Sequence, residues 1–445
     1  MLTHSEIAPG ISLSCIQDHR FKHSAMTFQY LRPMCAEEAA MNALIPSVLL
    51  RGCKSAPDLR RITQRLDDLY GASVSPISRR AGNCQTTGLY LSLMDDRFAP
   101  EGEALTEQAI AFLKELLFDY PTEQGGFLPD FVEGEKTNQI YAIEAEYNDK
   151  QTYCSRQLLK SMCREDPFGV SRMGEPADVE AITPQGLLRH YEKVRRESPV
   201  EVLYVGSAAP ERMEGLVRQL FAGEDRSPAP LNADAPLHLS APEDLRENLD
   251  ITQGKLCMGF VTPVTAKSAD FPAMQLLCAV YGGDVTSKLF QNVREKRSLC
   301  YSIGAGYYSA KGIILVSAGM DFDKEPLVRA EALKQLEACC QGDISGEELT
   351  AARRSLVSAL DSVPDSPGAL ESYYSAIRLG GSALDPQAHR AALEAVTRED
   401  LVRCAKTVRL HSSCFLTGGC LLITTPDWTN RSTAGSCPMV WPWKW

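Results

Sequence analysis

The chain has 445 residues, 44% of them hydrophobic and 23% charged, a length that suits two to four packed soluble domains rather than one core. Its 46 basic and 57 acidic side chains give a formal charge of -11, which excludes a protein that holds nucleic acid by releasing counterions from phosphates. No segment approaches the ~18 consecutive apolar residues of a membrane span, and MLTHSEIAPGISLS lacks the basic and apolar blocks of a secretory leader. The expected setting is therefore the reduced cytoplasm, where the 15 cysteines, with no C-x-x-C among them, behave as small buried hydrophobes.

In chain order, residues 7–13 and 25–31 read as strands from their apolar alternation. The segment between them, with Asp18 and HRFKH, is a polar turn. His19 and His23 are four apart there but not on a helix, where that spacing would bring two imidazoles together, so they are not read as a metal pair. Residues 89–93 form a short strand, and residues 104–120 a helix with Leu105, Ala109, Phe112, Leu116 and Tyr120 on one stripe. The glutamates of QIYAIEAEYND, residues 139–149, read as a solvated helical face.

An internal repeat then organises the chain. Thr183, Leu187, Arg189, Val194, Arg195 and Ser198 recur, without a gap, as Thr397, Leu401, Arg403, Val408, Arg409 and Ser412, an offset of 214 residues. Both copies have a capped helix feeding an apolar strand: Thr183 precedes a proline at the first helical position, and Thr397 with Asp400 forms a variant of the capping box. Between the copies, residues 226–242 hold four prolines and read as a semi-rigid linker. In the second copy, residues 256–262 and 313–317 read as strands, residues 326–340 as a helix, and Ser345 with Glu348 opens another. The fold class is α+β: two homologous halves, each a mostly antiparallel sheet with helices on one face.

Chemistry concentrates in residues 284–310, DVTSKLFQNVREKRSLCYSIGAGYYSA. Asp284 is expected to cap a helix running to about Lys296, followed by a strand on which Leu299, Tyr301, Ile303 and Tyr307 alternate. Arg294 in the last helical turn and Tyr301 at the strand entrance can both point one way, a guanidinium fork and a phenol O–H suited to a carbonyl or oxyanion. The structural alternative is a cation at a helix C-terminus beside a half-buried tyrosine. Gly282-Gly283 and Gly304-x-Gly306 lack the context of a phosphate loop, and no G-x-S-x-G occurs.

The stretch Leu289, Phe290, Val293, Arg294, Glu295, Lys296, Leu299, Tyr301 resembles the signature by which the insulinase/pitrilysin metallopeptidases, the inverzincins, place an arginine and a tyrosine in the active site. Asp166-Pro167-Phe168-Gly169, followed by Gly174, Ile182 and Thr183, resembles a second family stretch. The resemblance covers about residues 1–420. It implies two halves closing like a clam into a chamber around an extended peptide. Active members carry H-x-x-E-H on a first-half helix ahead of a turn, here Arg51-Gly52-Cys53. In AAMNALIPSVLL, residues 39–50, the two histidine places are Ala43 and Ser47 and the glutamate place is Pro46. None of these side chains binds zinc or takes a proton from water. The family's third ligand falls near Glu144, and one carboxylate does not make a zinc site.

The resemblance thus implies a chain with no metal of its own. It would be a peptide-binding subunit whose Arg294 and Tyr301 complete the site of a zinc-bearing paralogue, zinc being expected only in that partner. The alternative is a non-catalytic scaffold or regulator that binds peptide or protein. The expected organisation is 1–225, an N-terminal half with a degenerate zinc site; 226–242, the linker; 243–420, the half with the arginine and tyrosine; and 421–445, a tail. All four tryptophans lie in residues 428–445, beyond the end of the repeat, and that tail is expected to be disordered or loosely packed.

Overall fold

The computed structural model describes residues 2–231, 236–382 and 384–418; the tryptophan-bearing tail lies outside the described residues. The first half runs β1 (Leu2–Ala8), β2 (Ile11–Gln17), β3 (His23–Pro33), α1 (Ala36–Leu49), α2 (Leu59–Asp68), β4 (Ser73–Ala81), β5 (Cys84–Met94) and α3 (Leu105–Phe118). A ribbon of β6 (Thr122–Glu123) and β7 (Gly126–Phe127) leads to α4 (Pro129–Asn148), α5 (Lys150–Met162), α6 (Pro176–Glu180), α7 (Pro184–Glu197), β8 (Val200–Gly206) and α8 (Pro210–Leu220). The second half runs β9 (Asp244–Leu249), β10 (Gly254–Val261), α9 (Phe271–Gly282), a π-helical turn at Phe290–Glu295, β11 (Ser302–Tyr308) and β12 (Ile313–Met320). It ends with α10 (Glu325–Gln341), α11 (Gly346–Asp361), α12 (Pro367–Gly380), α13 (Pro386–Ala395), α14 (Arg398–Ala405) and β13 (Arg409–Gly418).

The strand expected over residues 7–13 is two strands. The chain reverses at Pro9-Gly10, where Gly10 has φ +69, and Ala8 pairs with Ile11. Glycine takes that left-handed conformation without the Cβ clash other residues meet.

The first sheet has the order β1-β2-β8-β3-β5-β4 and the second β11-β12-β10-β13-β9. Read from β2 and from β9, the two orders superpose strand for strand, and among the described residues the one parallel pair in each is the final strand beside that starting strand: β8 on β2, and β13 on β9. Thr183 and Thr397 cap the helices that feed those final strands; their side chains accept from the backbone N–H of Gly186 and Asp400. The repeated sequence pattern is therefore the local code for one repeated element.

Alternation within the strands shows that both faces of each sheet are covered. In β8, Val200, Val202 and Tyr204 join the core of the first-half helices, whereas Leu203 and Val205 meet Leu370 and Tyr374 of α12, a second-half helix. In β10, Leu256, Met258 and Phe260 face their own helices, whereas Cys257 joins Cys154, Leu158 and Met162 of α5, a first-half helix. Each half lends one helix to the other's sheet. Leu158 and Met162 are fully buried, and each contributes about 1.5–3 kcal/mol. Gly259 gives α5 a close seat: a Cβ there would lie 2.2 Å from Met162 Sδ, so the Met162 side chain would have to shift.

Two ion pairs reinforce this exchange. Lys311 Nζ, at the β11–β12 turn, lies 3.2 Å from Asp166 Oδ1, both side chains almost fully buried. Arg79 of β4 makes a two-pronged pair at 2.8 and 3.0 Å with Glu371 of α12, which is fully buried. Of the described cysteines none is in a disulfide, and all but Cys35 and Cys340 are buried.

Candidate functional site

The path into the site differs from a simple capped helix. Asp284 Oδ1 accepts from the N–H and hydroxyl of Thr286, 2.8 and 2.6 Å, closing a turn, and the helix starts later, at Lys288. Asp284 was expected to begin the helix, but its carboxylate is used by the turn first. The helix then widens to π form, and Lys296 N–H reaches Gln291 O at 3.0 Å. Such an insertion re-aims the side chains that follow it. Ser298, at φ +50, ends the segment with its N–H on Arg294 O.

The expected residues meet on one cavity of ≈ 300 Å³, lined also by Glu295, Asp321 and Lys324. Arg294 lies with its guanidinium 4.5 Å from the centroid of Phe290 and Nε 3.7 Å from Glu295 Oε1. Tyr301 N–H donates to Gly319 O, fixing it at the head of β11, and the residue is 58% exposed. The phenol O–H donates to Asp321 Oδ1 at 2.6 Å, and Lys324 Nζ sits 2.9 Å from Asp321 Oδ2. The bond from Tyr301, then that from Lys324, hold the Asp321 carboxyl below its usual range, and the same carboxylate pushes the Tyr301 phenol up. Neither Asp321 nor Lys324 was singled out from the sequence. The available signal was the hairpin: Ser302 pairs with Gly319, so a chain continuing past β12 returns beside Tyr301.

The degenerate zinc places lie on α1. Pro46 is buried inside the helix, which continues to Leu49, while Ala43 and Ser47 are half-buried. Proline removes one backbone donor, but the buried neighbours Leu44, Ile45, Val48 and Leu49 hold the helix regardless. Glu144 is exposed on α4, and His19 and His23 are exposed around a turn. Among the described residues no three His, Cys, Asp or Glu side chains come together as a metal-holding group.

Beside Ala43 there is instead a buried neutral chain that the sequence did not reveal. His190 Nε2 lies 2.8 Å from Asn42 Oδ1, Asn42 Nδ2 donates to Gln85 Oε1 at 3.0 Å, and Gln85 Nε2 donates to the carbonyls of Ala39 and Arg172. Since Asn42 Oδ1 is an acceptor, His190 carries its proton on Nε2. Burial lowers the His190 pKa to about 4, so this imidazole is neutral near pH 7.

Residues 181–356 match the family described as Peptidase M16 inactive domain. A probable inactive metalloprotease of Bacillus subtilis, YmfF, is 27% identical over 409 residues, 92% of this chain and 96% of the relative. Among solved structures, a conserved protein from Enterococcus faecalis superposes with a TM-score of 0.86 at 24% identity, covering 94% of this chain and 99% of the other. The peptidase M16 inactive domain from Pseudomonas fluorescens superposes at 0.77 and 15% identity, covering 94% and 98%. These structures share the two-domain fold. Among the described residues no helix is long and apolar enough to cross a membrane.

Proposed function

Starting from the fact that this chain is an M16-type, insulinase/pitrilysin-like peptidase homologue without the H-x-x-E-H motif, we propose that it is the non-zinc subunit of a heterodimeric metallopeptidase, with the cytoplasm as its setting. One observation carries the reading: Arg294 and Tyr301 share a solvent-open cavity, while Ala43, Pro46 and Ser47 supply no ligand or base. Zinc and its Lewis-acid chemistry would belong to the paralogue; the donors and part of the peptide-binding surface would belong to this chain. Arg294 suits backbone carbonyls, because its fork carries five N–H donors and its present neighbours are a ring face and a carboxylate beyond hydrogen-bond range. Tyr301 suits an oxyanion, its O–H turning from Asp321 to the stronger acceptor as charge develops.

The test is co-expression with a zinc-bearing paralogue and measurement of peptide hydrolysis. Arg294→Ala and Tyr301→Phe are each expected to lower kcat/KM by about 10²-fold or more. Unchanged hydrolysis in both variants removes this reading and leaves the second one, a non-catalytic peptide- or protein-binding scaffold. That alternative has its own supporting observation: in this structure the Tyr301 hydroxyl already has a partner in Asp321.

A further inference from the structure

A second cleft, of ≈ 570 Å³, lies where β4, the start of α5 and the end of β11 meet, so both halves build it. Four arginines line it, Arg79, Arg80, Arg156 and Arg172, against the single carboxylate of Glu146, on a chain whose net charge is -11. Their partners divide unequally. Arg79 is matched by Glu371, and Arg156 by Glu175 at 3.0 Å and Glu146 at 3.6 Å. Arg80 stacks 4.2 Å above Phe168 and donates to the carbonyls of Phe168 and Val170, with no carboxylate within ion-pair distance among the described residues. Arg172 is 3.9 Å from Glu146, beyond hydrogen-bond reach, and donates to Ser78 O. Half-buried Arg80 thus lacks a carboxylate at a depth where that lack is costly, and exposed Arg172 holds Glu146 only at the limit of an ion pair.

A second feature borders the same cleft. The outer edge of β4, which among the described residues pairs with β5 alone, runs along it through Ser78, Arg79 and Arg80. The cleft therefore suits a ligand with both an anion and a backbone that can lie along a strand edge. A peptide has both, whereas inorganic phosphate has no backbone.

We infer that this cleft is a specificity site for an acidic peptide residue. Its carboxylate sits with Arg80 and Arg172 by charge-assisted hydrogen bonds, and its backbone lies along the β4 edge. The assignment rests on the peptide-binding reading above and names its substrate class. The net charge of -11 by itself would steer a basic ligand, but the local field, not the total, meets the ligand in this cleft.

Two labelled octapeptides that differ only by Glu or Gln at one central position, titrated by fluorescence anisotropy into the purified full chain, test it. The Glu peptide is expected to bind about tenfold more tightly than the Gln peptide, and Arg172→Gln to remove that difference. Arg80→Met is expected to do the same; if it does not fold, the more exposed Arg172→Gln decides alone. Equal affinity for both peptides, or an undiminished preference in Arg172→Gln, overturns the site, and inorganic phosphate binding as tightly as the Glu peptide overturns the peptide assignment. Arg294→Ala/Tyr301→Phe should keep the preference intact, so loss of hydrolysis and loss of this preference are separate failures.

Discussion

The hydroxyl of Tyr301 donates to Asp321 Oδ1 across the mouth of the β11–β12 hairpin at 2.6 Å, with Lys324 on the far carboxylate oxygen. Because the carboxylate holds the phenol proton, Asp321→Asn is expected to return Tyr301 towards the usual value of about 10. Tyrosinate absorbance against pH, with Tyr301→Phe subtracted to isolate the one ring, reads this directly. Asp321 acts through Tyr301 and is thus a positioning residue. In the proposed heterodimeric peptidase, Asp321→Ala should change kcat in the Tyr301 background and not in Tyr301→Phe. Additive effects would show that Asp321 has a role of its own.

His190 supplies a pH dependence whose sign is opposite to that of a salt-bridged histidine. Its folded pKa is lowered to about 4 by burial, against about 6.5 when unfolded. Between those values the unfolded chain binds a proton that the native chain refuses, so stability rises with pH through that window and is complete above it. From pH 7 to pH 5 this group alone should remove about 2 kcal/mol, at 1.36 kcal/mol per pKa unit. His190→Gln abolishes the titration, so denaturant unfolding of the variant at the two pH values should differ less than that of the parent by that amount. An identical pH response in parent and variant rules the assignment out.

The two predictions draw on features of unequal visibility. Arg294 and Tyr301 were legible because their neighbours spell a local motif, and Thr183 and Thr397 because capping is written within four residues. Asp321 was not, since only the register of a hairpin places it beside Tyr301. The Asn42–Gln85–His190 chain joins α1, β5 and α7, and its amides carry no sequence signal apart from that packing. The exchange of α5 and α12 was hidden for a related reason. Each helix has an apolar stripe that specifies burial, and nothing local says which of two homologous sheets will cover it. The strand read over residues 7–13 failed because alternation was followed through Pro9-Gly10, a turn dipeptide.

Asp166 shows what a motif residue does when it carries no chemistry. Its carboxylate accepts from Phe168 N–H at 2.8 Å and His238 N–H at 2.9 Å, and pairs with Lys311 of the other half. Lys311→Met leaves a buried carboxylate without its cation and is expected to cost about 3–5 kcal/mol in urea unfolding. Asp166→Asn/Lys311→Met, which removes both charges, should lose less than Lys311→Met alone. If the double variant is the weaker of the two, the pair is not the joint between the halves that its burial indicates.

Zinc stoichiometry decides how the degenerate helix is to be understood. Ala43 and Ser47 stand one helical turn apart, where two imidazoles would converge, but neither side chain is a useful ligand, and Pro46 between them has no group to move a proton. Glu144 is exposed, and a lone carboxylate holds zinc too weakly to survive purification. The chain expressed alone should therefore carry zinc far below one ion per molecule, and added zinc should leave its thermal unfolding unchanged. A ligand that binds only the native state would raise stability by about 2.7 kcal/mol at a hundred times its Kd, a shift that is easily measured. The complex with the zinc-bearing paralogue should hold one zinc per pair of chains. Two per pair, or a zinc-dependent rise in the melting temperature of this chain alone, would mean that a metal site exists in it after all and that the division of labour proposed for Arg294 and Tyr301 is wrong.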